Sequence, residues 1–73
     1  MATVDLVDGS GVTQSTALID DAVWNVPSNQ AALNRAAAGY GMSLYAPGSY
    51  SPGWHAQSVQ DAIVWMSEFA QFQ

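Results

Sequence analysis

The chain has 73 residues, no cysteine and no lysine, and one arginine stands against six acidic residues for a net charge of −5. Charged residues make up 10% of the sequence, whereas soluble domains average about 25%. A single arginine cannot neutralise a phosphate backbone or an anionic lipid surface. We therefore expect no direct binding to nucleic acid, and no apolar run approaches the roughly 18 residues of a membrane span.

The small size limits how the protein can be stabilised. A chain of this length is one domain, residues 1–73, and buries only about 60% of the surface that its unfolded form exposes. Apolar residues reach 49%, which is enough for a core. Without cysteine there is neither a disulfide nor a thiolate metal site, so association with other chains is the remaining common stabiliser.

Residues 1–27 contain two runs with the composition of β-strands, residues 2–8 and 12–19. Val4 and Leu6 fall on one face and Asp5 on the other, and a strong turn sequence at residues 8–11, Asp-Gly-Ser-Gly, follows. The pattern predicts a β-hairpin that needs further packing to be stable, or else an extended arm ordered on a partner. Residues 20–26 fit a strand or one helical turn capped by Asp20. We favour the strand, because Val26 precedes a proline.

Residues 28–39 form a predicted short helix rich in alanine. Ser28 is the expected N-cap and Gly39 the expected stop. One face of this helix carries the apolar residues at helical spacing: Leu33, Ala36, Ala37 and Tyr40. Because alanine buries little area, this helix is expected to contribute little to the core.

Residues 40–57 form a predicted turn-rich loop that contains the internal repeat of the chain. Tyr-Ala-Pro-Gly-Ser at 45–49 is followed by Tyr-Ser-Pro-Gly-Trp at 50–54. Each Pro-Gly pair predicts a type II turn, with proline at the second position and glycine at positive φ at the third. The loop would then display three aromatic rings, those of Tyr45, Tyr50 and Trp54.

Residues 58–72 form a predicted amphipathic helix with Ser58 as its N-cap and Asp61 in its first turn. Its apolar side chains spread over about half of the circumference: Val59, Ala62, Ile63, Trp65, Met66, Phe69 and Ala70. So wide a face predicts packing against two surfaces. Together these elements predict a small single-domain α+β fold.

The sequence contains few residue patterns that are typical of a catalytic site. His55 is the single histidine, and Asp20 or Asp21 could in principle lie near it. Paired-histidine, HExxH and Gly-x-Ser-x-Gly patterns are missing. We interpret His55 as a solvated or helix-flanking residue, and we predict no catalytic site, no metal site and no cofactor.

The remaining hypothesis is binding to other proteins. The aromatic residues Tyr45, Tyr50, Trp54, Trp65, Phe69 and Phe72 are the predicted partner-binding set, and the alternative is that these rings cover the core. We expect a non-enzymatic structural subunit of a homo- or hetero-oligomer, such as a phage virion coat, cement or tail component, located in the virion or the host cytoplasm. The alternatives are a small acidic inhibitor or adaptor that binds a host protein and, less favoured, an enzyme or its accessory subunit.

Overall fold

The fold is that of a computed structural model, which describes residues 1–70. Four strands and three helices follow one another along the chain: β1 (Ala2–Val7), β2 (Thr13–Ile19), α1 (Asp21–Trp24), α2 (Pro27–Gly39), β3 (Ser43–Tyr45), β4 (Trp54–Ala56) and α3 (Val59–Glu68). The predicted α+β class is confirmed.

The predicted N-terminal hairpin is present, with β1 and β2 antiparallel. Its turn is organised by Asp8, whose carboxylate accepts hydrogen bonds from the backbone N–H groups of Ser10 and Val12 at 2.9 and 3.0 Å. Gln14 donates to the same carboxylate through its side-chain amide at 2.6 Å. Gly11 has φ +83°, a conformation that glycine adopts without steric cost.

The hairpin is the centre of a four-stranded sheet rather than an isolated pair. The strand order is β3-β1-β2-β4, with β3 antiparallel to β1 and β4 parallel to β2. The interpretation of residues 40–57 as turns and loop alone is therefore wrong, since both edge strands lie in this range. The alternative of an extended N-terminal arm is also wrong, because β1 already has a strand on each side.

The core lies between one face of the sheet and the helices. Val4, Leu6, Ala17 and Ile19 on that face are fully buried. They pack against Leu33 and Ala37 of α2 and against Ala62, Trp65 and Met66 of α3. Helix α3 contacts both α2 and β4. Its wide apolar face therefore meets two surfaces, as predicted, and both belong to the same chain.

Two predictions about the segment between β2 and α2 need correction. Residues 20–26 do not form a strand, because Asp21–Trp24 make one helical turn whose last carbonyls accept hydrogen bonds from the side chains of Asn29 and Gln30. Ser28 is not the N-cap of α2. The helix begins one residue earlier, at Pro27, behind an extended Val26 (φ −97°, ψ 114°). Proline fits this first position because its missing N–H would have no partner there.

Candidate functional site

The second face of the sheet is covered in part by residues 46–53, which connect β3 to β4. The register places Thr3, Asp5 and Thr16 on this face, opposite the helices. The connecting segment crosses over these residues and is fixed to them by two backbone bonds. Gly48 N–H donates to the Thr3 carbonyl and Gly53 N–H donates to the Thr16 carbonyl, each at 2.6 Å. We call residues 46–53 the crossing loop.

The crossing loop is not the predicted pair of type II turns. Positive φ angles occur, within residues 1–70, at Gly11 and Gly41. Gly48 and Gly53 therefore lack the positive φ that a type II turn needs at its third position. The Pro-Gly pairs serve a different purpose, because each glycine brings its N–H against a carbonyl of the hairpin.

Asp5 is the polar centre beneath the crossing loop. Its side chain is almost entirely buried, at 4% exposure. One carboxylate oxygen accepts from the Thr16 hydroxyl at 2.7 Å, and the other accepts from the Ser49 backbone N–H at 2.8 Å. A carboxylate can be buried at tolerable cost when donors of this kind satisfy it. Asp5 therefore joins β1, β2 and the crossing loop.

Gly48 fits closely against this polar centre. A Cβ atom at position 48 would lie 2.6 Å from Oδ1 of Asp5 and 3.1 Å from the methyl groups of Thr3 and Thr16. Any side chain here would displace either the loop or the buried carboxylate. The close contact explains why glycine occupies a position whose φ does not require it.

A groove of about 590 Å³ opens on this face beside the crossing loop. The groove is lined by residues of the β1–β2 hairpin, by the last residue of β3 and by the crossing loop: Asp5, Val7, Gly11, Thr13, Tyr45, Ala46, Pro47, Ser49 and Tyr50. The side chains of Tyr45 and Tyr50 are 58% and 62% exposed, which makes them two of the large hydrophobic residues most open to solvent. We call this surface the tyrosine groove.

The six residues predicted to bind a partner are not equivalent. Tyr45 and Tyr50 lie together in the tyrosine groove. Trp54 and Phe69 are half-buried and pack against the core. Trp65 is completely buried, so its ring is a core component and the prediction of a partner contact there is wrong. Phe72 lies outside the described residues.

Trp65 is unusual in another respect. Its indole N–H is buried, and within residues 1–70 it has no hydrogen-bond partner. Buried tryptophan N–H groups usually have an acceptor. Among the described residues the ring therefore contributes packing area to the core and no hydrogen bond.

His55 and Asp20 do come together, as the sequence allowed. His55 Nε2 lies 2.7 Å from Oδ1 of Asp20, with both side chains partly exposed at the end of the sheet. Asp21 instead accepts from the N-terminal amine at 3.0 Å. Within the described residues no group of three or more His, Cys, Asp or Glu side chains could hold a metal ion. A histidine paired with one carboxylate at the surface supplies no nucleophile or oxyanion site by itself.

The sequence identified the tyrosines of the groove but not its polar floor. The sequence places Asp5 on the face opposite Val4 and Leu6, but nothing local indicates that a segment containing Ser49, 44 residues later, covers it. The repeated Pro-Gly pair is the available signal, because glycine also occurs where another segment of backbone approaches closely. This signal identifies the crossing segment but not its position on the sheet.

No helix within residues 1–70 combines the length and the hydropathy needed to cross a bilayer. Comparison with known proteins gives no match to a family model, to a curated protein or to a solved structure.

Proposed function

We propose that this protein is a non-enzymatic structural subunit of a larger assembly and that it binds its neighbour through the tyrosine groove. The observation that carries the proposal is the pair Tyr45 and Tyr50, both more than half exposed on one groove. Tyrosine provides a large contact area with few rotatable bonds and is enriched among the residues that dominate binding energy.

The end of β3 and the crossing loop bear these rings, and the loop is held in place before any partner arrives. Gly48, Ser49 and Gly53 each donate a backbone hydrogen bond to the hairpin. Binding then requires little further ordering of the backbone, and ordering is one of the main costs of association. A fixed aromatic surface is what a permanent contact between subunits would use.

The composition of the whole surface supports the same proposal. Ten per cent charged residues leave little electrostatic repulsion between neighbouring subunits. On this ground we propose a virion component, such as a coat, cement or tail protein, as the setting. The acidic inhibitor or adaptor is the alternative, and its binding would depend on charge.

The experiment compares the native mass of the wild-type chain with that of two double variants. The chain is extracted from its source without denaturant and sized by sedimentation and light scattering. Wild type is expected in a particle far larger than its own 7.7 kDa, whereas Tyr45→Ser with Tyr50→Ser is expected to sediment as the free chain. Val26→Ser with Val64→Ser is the matched control, because these exposed valines lie outside the groove lining.

Two outcomes would contradict the proposal. The first is wild type at the mass of the free chain, and the second is a double tyrosine variant that stays in the particle as well as the valine control does. Repeating the measurement in about 0.5 M NaCl, where the Debye length is roughly 4 Å, separates the alternatives. A desolvated contact between subunits survives, whereas a charge-steered adaptor complex dissociates.

A further inference from the structure

We propose that the tyrosine groove receives a lysine or arginine side chain from a different protein, with the positive charge beside Asp5 and the side-chain stem against Tyr45 and Tyr50. This inference rests on the proposed function, because it names the chemistry of the partner at the same surface. Three observations support it: the groove is lined by a buried carboxylate without an ion-pair partner in the described part of the chain, it carries two exposed aromatic rings, and the chain has a negative net charge.

Asp5 lines the groove, and its carboxylate has no counter-ion among residues 1–70. It accepts two hydrogen bonds, from the Thr16 hydroxyl and the Ser49 N–H, and both donors are neutral. The ion pairs of the described residues involve Asp21 and Asp20 instead. Asp5 is 4% exposed, so a cation would approach its charge without displacing the two donors, and that charge is weakly screened at a buried position. A cation entering the groove would supply the missing charge.

The tyrosine rings suit the rest of such a side chain. An ammonium or guanidinium group is attracted to the face of an aromatic ring, and the methylene stem of lysine or arginine packs on apolar surface. Tyr45 and Tyr50 provide aromatic faces, Pro47 adds apolar surface, and Thr13 and Ser49 also belong to the lining. The lining therefore combines two aromatic rings with one carboxylate.

The charge of the chain indicates that the occupant is a different protein. A basic partner is attracted by the net charge of −5, whereas a second copy carries a charge of the same sign and gains no such attraction. The chain has no lysine, and its one arginine, Arg35, lies on α2, in the helical layer on the other side of the sheet.

Asp5→Asn separates the charge of Asp5 from its structural role. The asparagine carbonyl can still accept from Ser49 N–H, and its amide can donate to the Thr16 hydroxyl oxygen. The crossing loop then keeps its attachments while the groove loses its negative charge. Glu68→Gln is the matched control, because it removes one carboxylate at an exposed position on α3.

The test is a titration followed by ¹⁵N NMR, with N-acetyl-lysine N-methylamide and the arginine analogue as probes and the neutral norleucine analogue as control. We expect saturable shifts at Tyr45, Ser49 and Tyr50 with at least one basic probe. The norleucine analogue should bind about tenfold more weakly or worse, and Asp5→Asn should weaken the basic probe by about the same factor. Glu68→Gln should bind as wild type does.

Several results would overturn the inference. One is the absence of saturable shifts with both basic probes. Another is a norleucine analogue that binds as tightly as the basic probe does. The third is an Asp5→Asn variant that binds the basic probe as tightly as wild type does. The norleucine comparison uses wild type alone, so it holds even if Asp5→Asn folds poorly. If Asp5→Asn enters the native particle normally while the double tyrosine variant does not, the proposed function stands and the cationic partner is wrong. Self-association that Arg35→Gln abolishes would identify a second copy as the occupant and overturn the choice of partner.

Discussion

Replacing Gly48 by alanine is expected to destabilise the protein by about 2 kcal/mol through one steric contact. The new Cβ would stand 2.6 Å from Oδ1 of Asp5, about 1 Å inside the roughly 3.5–4.0 Å separation of atoms in good contact. Asp5 is held by Thr16 and Ser49. Relief therefore requires the loop to move outward.

The magnitude follows from what that movement breaks. A shift of about 1 Å removes the Ser49 hydrogen bond to Asp5, now 2.8 Å, and bonds to charged groups are worth about 1.5–3 kcal/mol. Overpacking of a tight site costs about 1–3 kcal/mol in general, which agrees. For a domain of this size a loss of about 2 kcal/mol lowers Tm by roughly 8–16 °C.

The assay is urea and thermal unfolding monitored by tryptophan fluorescence and circular dichroism. Gly39→Ala is the matched control, since a Cβ there meets nothing within 4 Å and the residue is helical; it should leave Tm unchanged or raise it slightly. If Gly48→Ala proves as stable as Gly39→Ala, the close contact between the crossing loop and Asp5 does not stabilise the fold as described.

Three further outcomes are expected from changes elsewhere in the chain. Asp8→Asn should reduce the loss of unfolding free energy that wild type shows at acid pH. The hydrogen bonds from Val12, Gln14 and Ser10 lower the pKa of Asp8 below 3.8. The carboxylate therefore contributes fully to stability above that pH, and this contribution is lost as the pH falls through the lowered pKa. The same decrease in unfolding free energy between neutral and acid pH for wild type and variant, measured by urea titration, would contradict this. Ser58→Ala should cost about 1 kcal/mol, because its hydroxyl accepts from Asp61 N–H at 3.1 Å. Ser28→Ala should cost nothing measurable in the same melts, because Val26 is the residue that precedes the helix.

The local elements of this fold could be predicted because their signals are local. The Asp-Gly-Ser-Gly turn lies within five residues of the strands that it joins, and Ser58 with Asp61 marks the start of α3 within one turn. The apolar spacing of α3 likewise identified the side that is buried. In each case the residues that carry the signal are also the ones that make the contacts.

The edge strands and the floor of the groove could not be predicted because they depend on distant partners. β3 and β4 have three residues each, too few for an alternating pattern, and they become strands only by pairing with the hairpin. Val26 is extended, as its position before proline requires, but this conformation precedes a helix instead of continuing a strand. Trp65 and Tyr50 are both large aromatic residues, and only the packing of α3 against α2 and β4 separates the buried ring from the exposed one.

Oxidative footprinting of the native particle tests most directly whether the tyrosine groove is the contact surface. Hydroxyl radicals modify exposed tyrosines, and mass spectrometry reads the modification at each residue. Tyr45 and Tyr50 should react readily in the isolated chain and be protected in the particle, while the exposed Val64 of α3 should react equally in both. Equal modification of both tyrosines in the two states would contradict the account.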